Sequence, residues 1–307
     1  MITRFDHAVI AVRDLDDAMA RFRAAGFDVA PGGRHAGRGT ANAIIRFGLD
    51  YMELLAVVNE AEALASPLGG PALVRFIAER GGGLVGFALA ADDVTGRGMG
   101  LDAVIGAHLG ADGPFPMQRH RPDGTVLSWR ILLPGGVAWR RPWPFLIQWE
   151  TPDAQRLAWE RPGTHANGAK GVAGIAVAAA NLATTVSIYE DQFGLKAERI
   201  EEVPELAARR AIFRLGDFAI TVVAPDVAAA ETGDSAGAAE ERLQDRGQGP
   251  IELGLAVADL DRTRAALEAG GAHPEPVLGD AGALLVTEDQ ILGVRLIFRL
   301  RGDERHN

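Results

Sequence analysis

The chain has 307 residues, no cysteine and a formal net charge of −10, with 48% hydrophobic and 23% charged residues. That length suits one large or two medium domains, each with its own core, and the composition is that of an ordinary soluble globular protein. The acidic balance speaks against nucleic acid and anionic membranes as partners, and the lack of cysteine removes disulfides and thiolate metal sites and fits the cytoplasm.

MITRFDHAV runs directly into a strand, with no signal-peptide core and no stretch of about 20 apolar residues to span a bilayer. Over Phe5 to Val12, alternation puts Phe5, His7, Val9 and Ala11 on one strand face and Ala8, Ile10 and Val12 on the other. Asp14 reads as an N-cap, Leu15, Ala18, Met19 and Phe22 recur at helical spacing, and Gly26 is the stop signal. GGRHAGRGTAN then reads as a glycine-rich loop whose His35, Arg38, Thr40 and Asn42 offer polar groups. Ala43 to Phe47 and Tyr51 to Val57 follow as strands, with Glu53 interrupting an apolar run. Buried alone, such a carboxylate costs several kcal/mol, so it requires a cation, a donor network or water. Arg46, Arg119 and Arg130 are available partners.

The strand, cap and helix pattern recurs. GLVGFALAADDV, GVAGIAVAAANL and IELGLAVADLD place Asp93, Asn181 and Asp259 at the position of Asp14. Four βαβββ modules in two pairs follow, an α+β fold with domains over 1–160 and 161–307. At the position of His7 the later modules have Gly86, Gly174 and Glu252, and the third module has Thr221 where the first has Glu53. The second domain therefore reads as degenerate. Its stretch from Asp226 to Gly249 reads as a mobile loop. In the first domain Met117 to Pro134 reads as a hairpin turning at Pro122-Asp123-Gly124, with Arg119, Trp129 and Arg130 on its strands. In PFLIQWE, Leu146, Gln148 and Glu150 share one face while Phe145, Ile147 and Trp149 share the other.

With His7 on the first strand, Glu53 in YMELL and GGRHAGRGTAN between them, the chain resembles the vicinal oxygen chelate superfamily, which includes glyoxalases, extradiol dioxygenases and bleomycin-resistance proteins. More narrowly it resembles the glyoxalase-like domain family. The resemblance implies paired modules forming two curved mixed sheets, helices on the convex faces, and a cup that binds a divalent metal. It places His7 and Glu53 as metal ligands, with Gln148 favoured over Glu150 as a third. Fe, Mn, Ni and Zn are not distinguished, and no nucleotide cofactor is expected.

The expected function is that of a glyoxalase-like enzyme acting on an oxygen-bearing small organic molecule, by lyase, isomerase, hydrolase or dioxygenase chemistry. His35 is the candidate for proton transfer. Asn42, Tyr51, Arg119, Trp129, Arg130 and Trp149 are the candidate substrate contacts, an aromatic wall with arginines suited to an apolar molecule bearing a carboxylate or other oxygens. The alternative is a metal-free protein of the bleomycin-resistance type that binds or sequesters a small molecule. The expected assembly is a monomer or homodimer.

Overall fold

The computed structural model describes residues 1–95, 109–121, 123–136, 139–226, 238–277 and 280–301. The repeated cap residues do what their chemistry suggests. Asp14 accepts the Asp17 N–H at 2.8 Å ahead of α1 (Leu15–Ala24). Asn181 and Asp259 accept the N–H groups of Thr184 and Arg262 at 2.9 and 3.0 Å. Each satisfies a donor that the first helical turn leaves without a partner. Asp93 accepts the Thr95 N–H instead, and the helix expected after it falls in 96–108, outside the described residues.

Eight strands form the first sheet: β1 (Ile2–Val12), β2 (Ala30–His35), β3 (Thr40–Arg46), β4 (Tyr51–Val57), β5 (Gly82–Ala91), β6 (Ala111–His120), β7 (Val126–Pro134) and β8 (Phe145–Trp149). Their order is β1-β4-β3-β2-β6-β7-β8-β5, and the sheet closes into a barrel. β1 runs parallel to β4 and antiparallel to β5, so the two modules meet along β1 and β5. The far edges meet too, because β2 and β6 pair at Arg34 with His120 and His35 with Arg119. The curved sheet expected from the resemblance is here a closed one.

The second sheet repeats the plan with β9 (Ala169–Ala178), β10 (Ala197–Val203), β11 (Ala208–Leu215), β12 (Phe218–Pro225), β13 (Gly249–Val257), β14 (Glu275–Val277), β15 (Asp280–Val286) and β16 (Leu296–Leu300). Its order, β10-β11-β12-β9-β13-β16-β15-β14, leaves β10 and β14 as edges. β14 has three residues, and β10 carries Glu198, Arg199, Glu201 and Glu202. Short or charged edges resist further pairing.

Helices α2 (Glu60–Ala65), α3 (Gly70–Arg80) and α4 (Asp153–Trp159) accompany the barrel, and α5 (Leu182–Ser187), α6 (Ala238–Arg246) and α7 (Leu260–Ala269) the second sheet. The apparent loop from Asp226 to Gly249 thus contains α6, while 227–237 lie outside the described residues. Among the described residues no helix is long and apolar enough to cross a membrane.

Among the described residues, apolar cores lie on both faces of the barrel sheet. Inside the barrel, Val9, Ala11, Leu55, Leu127, Ile131, Phe145 and Ile147 pack together. On its outer face, Ala8, Ile10, Met52 and Leu54 pack with Met19 and Phe22 of α1, and the same core continues into the second sheet. Phe5 belongs to this outer core, with its ring stacked on Phe218 at 4.2 Å. The expectation that Phe5 shares a face with His7 is therefore corrected. A register shift between Phe5 and His7 inserts Asp6 as an extra residue, which breaks the alternation.

Candidate active site in the first barrel

The barrel encloses a cavity of about 90 Å³. One end is filled from α4: Arg156 is buried against Trp149, 3.5 Å from the ring centroid, and Glu160 just beyond the helix reaches Arg46 and Arg119. Toward α2 and α3 the cavity is bounded by Leu68, Gly70, Leu73 and Trp139. Gly69 has φ 81, and its carbonyl accepts the Trp139 indole N–H at 3.1 Å. A side chain at Gly69 would collide with that ring, so only glycine serves at this corner.

The polar centre is built from adjacent strands. His7 on β1 lies opposite Tyr51 on β4, with the two rings stacked at 4.6 Å. The His7 Nδ1–H donates to Asp6 Oδ1 at 2.8 Å, which turns Nε2 toward Glu53 Oε2 at 3.6 Å. From the other side, His35 Nε2 faces Glu53 Oε1 at 3.7 Å, while its Nδ1 is bonded to Thr40 Oγ1 at 3.0 Å. Asn42 donates to Glu53 Oε1 at 2.5 Å and lies 3.4 Å from His35 Nε2. The carboxylate fixes the Asn42 amide orientation, since only the NH₂ end satisfies it. Asn42 Oδ1 is left buried without a partner among the described residues.

Burial pushes His35 down to about 4; Glu53 opposes the shift, while Arg119, His7 and Arg38 add to it. His35 is thus a neutral imidazole near neutral pH. Burial also raises the Tyr51 phenol well above its ordinary value, and the Asp6 and Glu53 charges reinforce this. At Asp6 burial alone would raise the carboxyl, but the hydrogen bond and charge of His7, then Arg156 and Arg4, hold it well below the usual carboxylate range. Asp6 also accepts the Trp149 indole N–H at 2.9 Å.

The structure gathers His7, His35, Asn42, Tyr51, Glu53, Arg119 and Trp129 around the cavity. Three expected members stand elsewhere. Gln148 faces outward, donating to the Asp92 carbonyl at 2.7 Å and accepting from Val94 N–H at 3.3 Å. Arg130 pairs with Glu150 at 3.1 Å on an exposed face. The reason is strand parity: Phe145 and Ile147 face inward, which sends Gln148 out, and Trp129 and Arg130, being adjacent, cannot share a face. Trp149 faces inward but packs on Trp129 at 5.0 Å and supports Asp6 rather than lining the cavity.

Gly86 lies opposite Val9, and β5 carries no histidine. His35 and Asn42, assigned to a loop, sit on the strands β2 and β3 of a hairpin. Asp6, Glu160 and Arg156 escaped the sequence reading. A polar pair at Asp6-His7 was the one local signal; Arg156 and Glu160 enter from a helix far along the chain.

Two imidazole nitrogens and one carboxylate fit a divalent ion in kind, since the tied Nδ1 atoms turn both Nε2 atoms toward Glu53, that of His35 with the Asn42 amide also beside it at 3.4 Å. Among the described residues, no group of three or more His, Cys, Asp or Glu side chains is spaced to hold a metal. The present separations are those of polar neighbours, so the fit is one of donor chemistry rather than of spacing.

A model of the glyoxalase-like domain family matches residues 5–193, more than half of the chain. Among solved structures, a hypothetical protein from Staphylococcus aureus shares 17% identity with a TM-score of 0.62, over 98% of this chain and 100% of that one. A mutant of 4-hydroxymandelate synthase from Streptomyces coelicolor shares 17% with a TM-score of 0.63, over 98% and 94%. A xylose isomerase-like TIM barrel/4-hydroxyphenylpyruvate dioxygenase fusion protein shares 14% with a TM-score of 0.56, over 100% of this chain and 50% of that one. At these identities the likeness is one of fold. No curated protein matches the chain.

Proposed function

Because the chain belongs to the glyoxalase-like domain family of the vicinal oxygen chelate superfamily, we propose that it is an enzyme acting on an oxygen-bearing small organic molecule, with a divalent ion held by His7, Glu53 and His35. The observation that carries this reading is the approach of two imidazole Nε2 atoms to the two oxygens of one buried carboxylate. Two imidazoles with one carboxylate favour Fe(II) among the candidate metals. When bound, such an ion supplies Lewis-acid stabilisation of charge developing on a substrate oxygen.

The side chains supply the rest. Asp6 fixes the His7 tautomer and ring orientation, and Asn42 fixes Glu53. A proton acceptor works best with a pKa near the working pH. At about 4, His35 is better suited to donate a lone pair than to take a proton, so the ligand role replaces the proton-transfer role expected of it. Tyr51 keeps its phenolic proton and can donate a hydrogen bond to a ligand oxygen. Trp129, Ile131 and Trp139 form the apolar wall that keeps water away.

The rival reading, a metal-free binding protein, is favoured by one observation. Glu53 already has the Asn42 N–H at 2.5 Å and an imidazole beside each oxygen, a partnered carboxylate without any ion. Elemental mass spectrometry of the purified protein separates the two. The enzyme reading expects a near-stoichiometric transition metal, lost in His7→Ala, His35→Ala and Glu53→Gln and retained in Gln148→Ala. No metal, and no uptake on anaerobic reconstitution, would overturn the metal-enzyme reading.

A further inference from the structure

The wall of the first cavity carries more positive charge than its own residues neutralise. Arg119 is 1% exposed and lines the cavity. Its Nη2 is ion-paired with Glu160, but that same carboxylate also takes Arg46 Nη2 at 2.6 Å, so two buried guanidiniums share one partner. Arg119 Nε has no hydrogen-bond partner among the described residues. Arg38, half-buried, lines the same cavity, and its guanidinium makes no hydrogen bond or ion pair among the described residues. Glu53 lines the same cavity, but no ion pair joins it to either arginine, Asn42 already donates to its Oε1, and its single charge is fewer than the two that Arg38 and Arg119 bring. Withdrawing cations from water without a full counter-charge is costly, and the cost is relieved by an anion that enters from solution. The remaining wall is apolar: Leu73, Trp129, Ile131 and Trp139.

We infer that this cavity selects small organic carboxylates, with the anionic group set against Arg119 and Arg38 and the apolar part along Trp129, Ile131 and Trp139. A planar guanidinium matches a carboxylate with two parallel N–H donors. The enclosed space is smaller than the roughly 150 Å³ that holds a benzene ring, so the enclosed part is a short acid and any larger group extends toward the opening. The inference shares with the proposed function only the choice of cavity. It holds with or without a metal, because an added divalent ion increases the positive charge that the ligand must balance.

The test pairs each acid with its neutral isostere: 3-methylbutanoate with 3-methylbutanamide, and phenylacetate with phenylacetamide, titrated calorimetrically into chelator-treated and metal-reconstituted protein. The acids should bind at least roughly ten-fold more tightly than the amides in both preparations. Arg38→Met, at a half-exposed position that leaves the Glu160 network intact, should remove most of that preference. Arg130→Met, outside the cavity, should leave it unchanged. Equal binding of acids and amides, binding of neither acid, or a preference that survives Arg38→Met and Arg119→Met in folded protein would overturn the inference. Acid preference in chelator-treated protein that takes up no metal would keep it while removing the metal reading; metal uptake without acid preference would do the reverse.

Discussion

His35 on β2 and Arg119 on β6 face each other across the two-residue seam that closes the first barrel. One of them meets Glu53 at 3.7 Å and the other is ion-paired with Glu160, so the closure of the barrel also assembles the site. The second sheet, with its strands in the same order, does not close. Its open trough of about 1190 Å³ is lined by residues such as Lys170, Arg210, Thr221 and Glu252 and, among the described residues, by no histidine.

The seam depends on Gly33, which has φ 144 and whose added Cβ would overlap the His120 carbonyl oxygen. Gly33→Ala should cost more than about 2 kcal/mol through strain and overlap. Urea unfolding measures this, and ligand or metal binding should weaken in the same variant, because His35 and Arg119 would lose their common register.

Asp6→Asn removes a buried charge that faces His7 and lies near Arg4 and Arg156. Loss of one partner in such a buried network costs about 3–5 kcal/mol, and metal affinity should fall by about ten- to a hundred-fold as His7 loses its orienting carboxylate. The folded-state pKa of Asp6 lies below its unfolded value. Its contribution is therefore complete above the unfolded value of about 3.9 and is lost as pH falls through the folded one. Acid unfolding curves should be flatter in the variant than in the wild type below about pH 4.

His35 gives a second pH signature in chelator-treated protein. Its folded value is about 4 against about 6.5 unfolded, so between these the unfolded chain holds a proton that the folded chain lacks. Stability should fall by roughly 3 kcal/mol as pH is lowered across that window. In His35→Gln most of this slope should vanish in a series of urea titrations. His165, also lowered by burial, leaves a smaller residue of the same sign.

Phe218→Ala empties the contact between the barrel's outer face and the second sheet, where Phe5 stacks at 4.2 Å. The expected cost is about 3–5 kcal/mol. Metal and ligand binding in the folded variant should not change, since Phe5 and Phe218 face away from the cavity. A large loss of binding would show that the second sheet positions the site.

The sequence by itself determined the modules. Caps at Asp14, Asn181 and Asp259, the two strand faces of β8, and the intrusion of His7 and Glu53 into apolar strands all follow from local periodicity and hydrogen-bonding chemistry. Only the tertiary structure decided which faces turn inward, because alternation separates Phe145 and Ile147 from Gln148 without saying which set meets the cavity. It also decided the bulge that brings Asp6 beside His7 and turns Phe5 out, the seam that makes His35 a strand residue near Glu53, and the arrival of Glu160 between Arg46 and Arg119. These are contacts between distant segments. Their energies come from burial and pairing that no single stretch of chain contains.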